Sequence, residues 1–379
     1  MNATETPVLL LTGYLGSGKT TLLNRMLSNQ QGIRFAVIVN DIGEVNIDAG
    51  LIEKGGIVGQ EDDSLVPLQN GCICCTLKMD LVKQLSDLAK SRKFDYIVIE
   101  ASGICEPAPI AQTISVYPEI YPELAREGAC RLDCIATVVD ALRMQDEFEN
   151  GVDLTRQNLD EDDLASLVIQ QVEFCNVILL NKASEVSTEN LAKITGILRA
   201  IQPKAEIIPC DYGDVDFAKL LNTNHFDFEK VASSPAWVAA IEEEEDHLEN
   251  EESGEALEYN IQTFVYQSRK PFNLGRFDDY VARLWPKNII RSKGLCYFAD
   301  ERQTCYVFEQ AGRQVQIKSS GQWFATMPKE DLEQFLENNP RVRKDWDEKY
   351  GDRINKLVFI GQDLDKEAIT KALDDCTED

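Results

Sequence analysis

The stretch that most constrains this chain is GYLGSGKT, residues 13 to 20. It fits the pattern G-x-x-x-x-G-K-[ST], follows the apolar run PVLLLTG and precedes KTTLLNRMLSNQ, which has apolar residues at helical spacing. A glycine-rich loop between a strand and a helix predicts a phosphate site, because backbone N–H groups of the loop and the helix start can converge on phosphate oxygens. The motif therefore predicts a nucleotide-binding α/β domain.

The polar residues of this motif and of a later strand end predict a hydrolytic site. Lys19 can neutralise the β- and γ-phosphates, and the Thr20 hydroxyl can bind Mg²⁺ together with Glu100, which ends the apolar strand FDYIVIE. Gly103 can offer its N–H to the γ-phosphate. We thus predict Lys19, Glu100 and Gly103 as catalytic residues, with Thr20 and Glu100 as the Mg²⁺ ligands. The predicted nucleotide-binding residues are Gly13, Gly16, Ser17, Gly18, Lys19, Thr20, Thr21, Asn181 and Lys182.

The order of apolar patterns predicts two domains of different architecture. Up to about residue 220, six short apolar strands alternate with helical patterns, which is typical of a mostly parallel α/β sheet. Residues 242 to 258 hold ten acidic side chains and no Lys or Arg, and the segments after them read as antiparallel strands with helices. We predict a P-loop NTPase domain over 1–225, an acidic flexible linker over 226–257 and a smaller α+β domain over 258–379.

Charge and composition narrow the possible partners. A net charge of -27 argues against nucleic acid and against an anionic membrane surface. The start MNATETPVLLLTG lacks the basic segment of a secretory signal, and no apolar stretch reaches the ~20 residues that span a bilayer. We therefore expect a cytoplasmic protein. Eleven cysteines in that compartment are expected to be reduced thiols and not a disulfide framework.

The strand end VILLNKAS is the candidate for base recognition. In many P-loop GTPases an N-K-x-D sequence at this place reads guanine through the carboxylate of its Asp, but here Ser184 takes the fourth position after Asn181 and Lys182. A serine cannot present two carboxylate oxygens to the base. The sequence leaves two alternatives, an ordinary strand-to-loop turn or a shifted register in which Glu185 reaches the base, and strict GTP selectivity stays open.

Three cysteines are crowded into NGCICCTLKMD, at Cys72, Cys74 and Cys75. Thiolates bind soft and borderline metals, chiefly Zn²⁺ and Cu(I), and three protein ligands leave one tetrahedral position for exchange. A redox pair lacks its usual C-x-x-C spacing, and a structural zinc clip would need a fourth Cys or His close by. This spacing favours a metal site from which the ion can be released.

The motifs GYLGSGKTTLLN, NDIGEVNID, GCICC, EASG and NKAS, in this order, resemble the CobW-like P-loop GTPases, a family of metallochaperones. RKPF, IIRSKG and GDRINKLVFIG resemble the C-terminal domain of the same family. The resemblance covers nearly the whole chain outside the acidic run. It implies GTP and Mg²⁺ as cofactors, with Zn²⁺, Co²⁺ or Ni²⁺ as the transition metal.

The resemblance also assigns residues outside the phosphate loop. Residues 40 to 48 look like the first switch, in which Glu44 matches an acidic metal-associated residue and Asp41 stands where the family usually has Glu. Together with Cys72, Cys74 and Cys75 of the C-x-C-C motif, Asp41 and Glu44 complete the implied metal site. Glu44 stays open as either a ligand or a switch residue.

We therefore predict a GTP-hydrolysing metallochaperone that delivers a metal, zinc first, to a client metalloprotein under nucleotide control. The C-terminal domain is the expected client surface, with Arg291 and Lys293 as cationic handles, and the oligomeric state stays open. The alternative is a nucleotide-dependent regulatory or assembly factor whose cysteines are structural or redox-active, with no metal cargo. A P-loop kinase is disfavoured because residues 103 to 170 contain only scattered arginines and no Arg-rich lid.

Overall fold

The computed structural model describes most of the chain on either side of several gaps. The described residues are 5–29, 32–39, 65–67, 78–126, 128–149, 167–224, 226–227, 231, 261–311, 314–339, 342–343 and 346–378. The chain divides into two compact units, Met1–Pro235 and Ala236–Asp379. The predicted acidic linker lies almost entirely outside the described residues.

The first unit is built on a parallel sheet with strand order β3-β2-β4-β1-β5-β6-β7. Its strands are β1 (Thr6–Thr12), β2 (Phe35–Val39), β3 (Leu65–Pro67), β4 (Tyr96–Glu100), β5 (Cys130–Asp140), β6 (Val177–Asn181) and β7 (Glu206–Pro209). Its helices are α1 (Lys19–Leu27), α2 (Lys78–Ser91), α3 (Pro107–Ile120), α4 (Pro122–Ala125), α5 (Ala141–Glu149) and α6 (Thr188–Ile201), and residues 167–173 are also helical.

Burial on both faces explains the continuous apolar runs of these strands. Leu9 and Leu11 of β1 lie in one core cluster with Leu22, Leu23 and Met26 of α1. The carboxyl ends of the strands meet at one edge of the sheet, where α/β proteins bind their ligands. The phosphate loop follows β1 at this edge, and the turns after β4, β5, β6 and β7 surround it.

The second unit contains an antiparallel sheet with strand order β11-β10-β9-β12-β8. Its strands are β8 (Ile261–Ser268), β9 (Ile289–Phe298), β10 (Glu301–Ala311), β11 (Gln314–Gln322) and β12 (Asn355–Gln362). Its helices are α7 (Leu274–Arg283), α8 (Lys329–Asn338) and α9 (Lys366–Asp375). Phe272, Phe277, Phe308 and Phe359 are fully buried in its core.

The structure confirms the predicted fold class, a mostly parallel α/β domain followed by a smaller α+β domain. The six predicted parallel strands are present, and β3 adds a seventh that is three residues long and too short to show a pattern. Helix α8 was also not predicted, although Leu332, Phe335 and Leu336 have the i, i+3, i+4 spacing of a helix face; none of its residues is buried. In the described part of the chain, no helix has the length and apolar character needed to cross a membrane.

Candidate nucleotide and metal site

The phosphate loop has a backbone that requires glycine. Gly13, Gly16 and Gly18 have φ angles of 134°, 83° and 111°, in a region that side-chain-bearing residues rarely adopt. A Cβ atom on Gly13 would lie 2.4 Å from the carbonyl oxygen of Val138, and one on Gly18 would lie 2.3 Å from Nδ2 of Asn181. The loop is therefore packed tightly between the ends of β5 and β6.

Lys19 is the first residue of α1 and is only 7% exposed. Its Nζ donates hydrogen bonds to the carbonyl oxygens of Gly13 at 2.6 Å and of Tyr14 at 3.2 Å. These contacts hold the ammonium group over the loop at the amino-terminal end of the helix, where backbone N–H groups also favour an anion. The arrangement suits binding of a phosphate group.

Thr20 and Glu100 lie on neighbouring elements at the same edge of the sheet. Glu100 ends β4, pairs in register with Leu11 of β1 and is 2% exposed. The Thr20 hydroxyl donates to Oε1 of Glu100 at 3.5 Å. A hydroxyl beside a buried carboxylate is a hard-oxygen donor set, which fits Mg²⁺ shared with nucleotide phosphates and water.

The turn after β4 packs directly against the phosphate loop. A Cβ atom on Gly103 would lie 2.8 Å from the backbone nitrogen of Leu15, so only glycine fits this contact. The fully buried Gln171 holds the same turn, because its Nε2 donates to the carbonyl oxygens of Gly103 at 3.3 Å and Cys105 at 3.2 Å. Gln171 was not predicted from the sequence, which carries no local signal for a contact across 68 residues.

Asn181 joins the phosphate loop to the end of β7. Its Nδ2 donates to the carbonyl oxygen of Ser17 at 2.8 Å, and its Oδ1 accepts from the backbone N–H of Gly213 at 3.2 Å. The neighbouring Lys182 has a φ of 59° and donates to the carboxylate of Asp140, which is 6% exposed. The predicted Asn181 and Lys182 thus lie beside the loop, whereas Thr21 on α1 is exposed.

Ser184 contacts a carboxylate that the sequence analysis did not select. Its backbone N–H and its hydroxyl both donate to Oδ1 of Asp211, at 3.0 and 2.9 Å. Asp211 lies two residues after the end of β7, and β7 pairs with β6 in parallel through Leu180 and Pro209. The strand end AEIIPCD was the only sequence signal that could have pointed to this aspartate.

The predicted metal ligands Asp41, Glu44, Cys72, Cys74 and Cys75 lie outside the described residues. Within the described ranges, no group of three or more His, Cys, Asp or Glu side chains could hold a metal ion. The eight cysteines described there are free thiols in the interior.

The environment of these interior thiols does not favour metal binding. Cys105 is fully buried after Gly103. Burial raises the pKa of Cys130 and Cys175 to about 12, and that of Cys210 and Cys305 to about 11. A thiol with such a pKa stays protonated at neutral pH, so these cysteines are core residues and poor metal ligands.

The expectation that Arg291 is an accessible cationic handle is wrong. Arg291 is 1% exposed, and its Nη1 donates to the carbonyl oxygen of Gln310 at 3.3 Å. Lys293 lies two residues along β9 and forms a 2.6 Å ion pair with Glu309, both side chains being less than a fifth exposed. Glu309 lies opposite Lys293 on the adjacent strand β10, so this cross-strand pair neutralises a charge that the sequence alone presents as free.

Two family models match this chain. Residues 7–209 match the model described as CobW/HypB/UreG, nucleotide-binding domain, and residues 261–377 match the Cobalamin synthesis protein cobW C-terminal domain. The first match covers the unit that carries the phosphate loop, and the second covers the antiparallel unit.

Individual relatives are similar over different lengths. The Zinc-regulated GTPase metalloprotein activator 1 of Dictyostelium discoideum is 36% identical over 385 residues, which cover 98% of this chain and 79% of the relative. The Zinc chaperone CobW of Pseudomonas aeruginosa is 35% identical over 231 residues, 58% of this chain and 60% of the relative, less than two thirds of its length. A crystal structure of Zn(II)-bound YjiA GTPase from E. coli matches over 100% of both chains, with 23% identity and a TM-score of 0.43.

Proposed function

The chain belongs to the family of CobW, HypB and UreG nucleotide-binding proteins and carries the CobW C-terminal domain, and on that premise we propose that it is a GTP-hydrolysing zinc metallochaperone. It binds Zn²⁺ through Cys72, Cys74 and Cys75 and transfers the ion to a client protein under nucleotide control. The names of the Dictyostelium and Pseudomonas relatives support zinc as the metal and GTP as the nucleotide.

The observation that carries the nucleotide part of this proposal is the arrangement of Lys19, Thr20 and Glu100 around one loop. Lys19 lies against the loop carbonyls, and the Thr20 hydroxyl contacts the Glu100 carboxylate across the gap between α1 and β4. In our proposal Lys19 binds the β- and γ-phosphates, and Thr20 with Glu100 holds Mg²⁺. Held by these two side chains, Mg²⁺ would supply positive charge to the phosphate oxygens during transfer of the terminal phosphoryl group.

Gly103 is the proposed link between the nucleotide and the rest of the protein. Its backbone packs on the loop at Leu15, and in our proposal its N–H donates to the terminal phosphate. Loss of that phosphate removes a hydrogen-bond acceptor and changes which conformation of the turn is favoured. Hydrolysis can thereby change the conformation of the segments before and after β4.

The proposed metal site is an open thiolate site. Three cysteine thiolates bind zinc firmly and leave one tetrahedral position for Glu44, Asp41, water or a ligand from the client. Both carboxylates belong to the segment that resembles the first switch, which makes the ligand set sensitive to bound nucleotide. By linkage, the factor by which GTP changes zinc affinity equals the factor by which zinc changes GTP affinity.

The names of the relatives imply an interaction with client proteins in general. We propose that the antiparallel unit provides the client surface, without the contribution of Arg291 expected from the sequence.

The proposal predicts a metal affinity that depends on nucleotide. The reduced full-length chain is titrated separately with Zn²⁺, Co²⁺ and Ni²⁺, in the presence of GDP or of a non-hydrolysable GTP analogue. We expect one tightly bound Zn²⁺ per chain and an affinity difference of about tenfold between the two nucleotide states, which is typical of allosteric coupling. Cys74→Ala should lose this ion, whereas Cys305→Ala, which removes a buried thiol elsewhere, should retain it.

Two results would contradict this proposal in different ways. Tight zinc binding that does not respond to nucleotide would identify a structural site. Absence of tight metal binding in the reduced chain would favour a nucleotide-dependent regulatory or assembly factor without metal cargo.

A further inference from the structure

The structure suggests how a chain with NKAS in place of N-K-x-D can still select guanine, an inference that rests on the proposed GTPase function. Guanine presents two adjacent donors, the ring N1–H and the C2 amino group, and an ionised carboxylate has two oxygens and accepts only. Ser184 occupies the position at which N-K-x-D places that carboxylate. A serine hydroxyl is neutral and lacks the negative charge that makes a carboxylate a strong acceptor for both donors, so the contact needs an acidic side chain nearby.

Asp211 brings a carboxylate to that position from a different strand. Its Oδ1 accepts from both the N–H and the hydroxyl of Ser184, at 3.0 and 2.9 Å. These two bonds fix the orientation of the carboxylate, and among the described residues Oδ2 has no hydrogen-bond partner. Ser184 and Asp211 are 27 residues apart in sequence and are adjacent only because β6 and β7 pair in parallel.

The backbone on either side of this pair is also fixed. The N–H of Cys210 donates to the carbonyl oxygen of Leu180 at 2.9 Å, and the N–H of Ala183 donates to that of Cys210 at 3.1 Å. These backbone hydrogen bonds hold the turn after β7 beside the turn after β6, so that Asp211 remains next to Ser184.

The same turn is tied to the phosphate site. Asn181 bonds Gly213 on one side and the carbonyl oxygen of Ser17 in the phosphate loop on the other, at 3.2 and 2.8 Å. A nucleotide whose phosphates lie on the loop has its base held at a set distance from them. The carboxylate of Asp211 thus has a defined offset from the phosphates, which is what recognition of a base edge requires.

Two other acids near this edge are less well placed. Glu185 is exposed, and no side-chain hydrogen bond fixes its carboxylate in the described structure. Asp214 forms a 3.0 Å ion pair with Arg25 and is 75% exposed. Of these acids, Asp211 is the one whose carboxylate is held against Ser184, the residue at the fourth position of the motif.

We propose that Asp211, oriented by Ser184, is the residue that reads the guanine edge. Ser184 holds Oδ1 through its N–H and its hydroxyl, and in the proposed contact Oδ2 accepts from both N1–H and the C2 amino group of guanine. Adenine places an acceptor at N1 and has no amino group at C2, so the same carboxylate disfavours it. The carboxylate that N-K-x-D places after β6 is thus supplied here by Asp211, which follows β7.

The experiment measures the dissociation constants of GDP, XDP and ADP for the full-length chain and for Asp211→Asn. Asn presents an amide N–H₂ that can donate to the C2 carbonyl of xanthine, and it loses one acceptor for guanine. We expect GDP to bind roughly tenfold or more weakly to the variant, because a lost charged hydrogen bond is of that size. XDP should bind to the variant roughly tenfold or more tightly than it binds to the natural chain.

Two further variants separate base reading from structural effects. Asp214→Asn removes an equivalent charge three residues along the same turn and should leave the GDP-to-XDP preference within about twofold, as expected for an exposed ion pair. The double substitution Ser184→Asp with Asp211→Ser returns the carboxylate to the motif position. It should restore the preference for GDP over XDP.

The outcomes distinguish this inference from the proposed function. If the natural chain binds ADP as tightly as GDP, the GTPase assignment itself fails. If it prefers GDP but Asp211→Asn leaves the GDP-to-XDP ratio unchanged, or weakens both nucleotides equally, the assignment of Asp211 is wrong and the GTPase function stands.

Discussion

At the scale of single residues, Gln171 lies at the centre of a buried hydrogen-bond chain that reaches the phosphate loop. Its side chain donates to the carbonyl oxygens of Gly103 and Cys105, and its own backbone carbonyl accepts from the Thr137 hydroxyl at 3.0 Å. The Thr137 hydroxyl in turn lies 2.7 Å from that of Thr12, the last residue of β1. Residues from β1, β5 and a helix thereby position the turn that follows β4.

Replacing Gln171 with Leu should slow GTP hydrolysis while leaving GDP binding almost unchanged. The variant keeps the volume of the side chain but loses both hydrogen bonds to the turn, a loss of about 1–2 kcal/mol. If this cost falls on the conformation that presents Gly103 to the terminal phosphate, kcat falls roughly tenfold. Steady-state hydrolysis and GDP titration measure the two quantities separately.

Gln202 provides the matched control for this prediction. It is also fully buried, and its Nε2 donates to the carbonyl oxygen of Glu173 at 2.6 Å, close to the same helix but away from the turn. Gln202→Leu should lower stability by a similar amount without a selective loss of kcat. An equal fall of kcat in both variants would show that Gln171 acts only through stability.

At the scale of elements, the eleven-residue strand β5 carries a fully buried carboxylate, Asp133. It accepts hydrogen bonds from the Tyr96 hydroxyl at 2.6 Å, from Nη1 of Arg131 at 3.0 Å and from the backbone N–H groups of Thr223 and Asn224, both at 2.9 Å. One side chain thus joins β4 and β5 to the segment that follows the sheet.

These contacts set the protonation of Asp133. Burial raises the pKa of its carboxyl, but the hydrogen bonds from Tyr96, Asn224, Arg131 and Thr223 together hold the pKa below its ordinary value. The charged form is therefore favoured in the folded protein. Its contribution to stability is present above the ordinary pKa of about 3.9 and is lost as the pH falls through the lower folded value.

Asp133→Asn should accordingly destabilise the first unit most at neutral pH. An amide places a donor where four donors already converge, and we expect a cost of about 1–3 kcal/mol in the free energy of unfolding at pH 7. The gap between the natural chain and the variant should narrow below about pH 4 as the natural carboxyl becomes protonated. Calorimetric unfolding across this pH range measures the gap.

An exposed carboxylate of the same unit offers the comparison. Asp95 pairs with Arg34 at 2.6 Å, and both side chains are about half exposed. Asp95→Asn should cost less than about 1 kcal/mol, as surface ion pairs do. If Asp133→Asn lowered the free energy of unfolding by no more than Asp95→Asn, or if its effect did not depend on pH, the charged form of Asp133 would not stabilise the fold as we predict.

At the scale of the whole molecule, each of the two units has a core of its own. The core of the second unit is aromatic, and Phe277 of α7 lies at its centre. The Phe277 ring stacks on Phe272 with 4.7 Å between centroids and meets Phe308 and Phe298 edge-on at 5.3 and 6.0 Å. The core cluster of the first unit contains none of these residues.

Phe277→Ala should therefore unfold the second unit more easily while the chain still binds GDP. The cavity left by a fully buried Phe costs about 3–5 kcal/mol. All four Trp residues of the chain belong to Ala236–Asp379, so Trp fluorescence during denaturation reports this unit. We expect its unfolding midpoint to fall, with the GDP dissociation constant unchanged within about twofold, a small difference on the scale of binding free energies.

Leu284, which caps α7 and is 71% exposed, serves as the control for that truncation. Leu284→Ala should shift the fluorescence midpoint very little, because it leaves no cavity. A large loss of GDP affinity in Phe277→Ala would show that the integrity of the second core supports nucleotide binding.

Much of the nucleotide site could be predicted from the sequence because its parts are local. GYLGSGKT contains its own glycines, cation and hydroxyl within eight positions, and the strand and helix beside it follow from continuous and periodic apolar patterns. The strand-end position of Glu100 could be read in the same way. The geometry of these residues was then set by packing, which brings the Thr20 hydroxyl to the Glu100 carboxylate across 80 residues.

The residues that the sequence did not identify all act across distance in the chain. Gln171 contacts Gly103 over 68 positions, and Asp133 contacts Thr223 over 90. Arg291 was identified from the sequence, but its burial beside a neighbouring strand was not. A glutamine in a helix or an aspartate within a strand has no local pattern that distinguishes it from a solvated residue. Their partners follow from the order of strands in the sheet.

By itself, the sequence determined the fold class, the phosphate loop, the family resemblance and the candidate thiolate site, because each depends on residues close together in the chain. Only the tertiary structure decided that Ser184 faces Asp211, that Gln171 holds the turn at Gly103 and that Arg291 is buried. The physical reason is that the apolar periodicity of a segment indicates which of its faces is buried. Which side chain covers that face depends on how β4, β1, β5, β6 and β7 are ordered and aligned in the folded sheet.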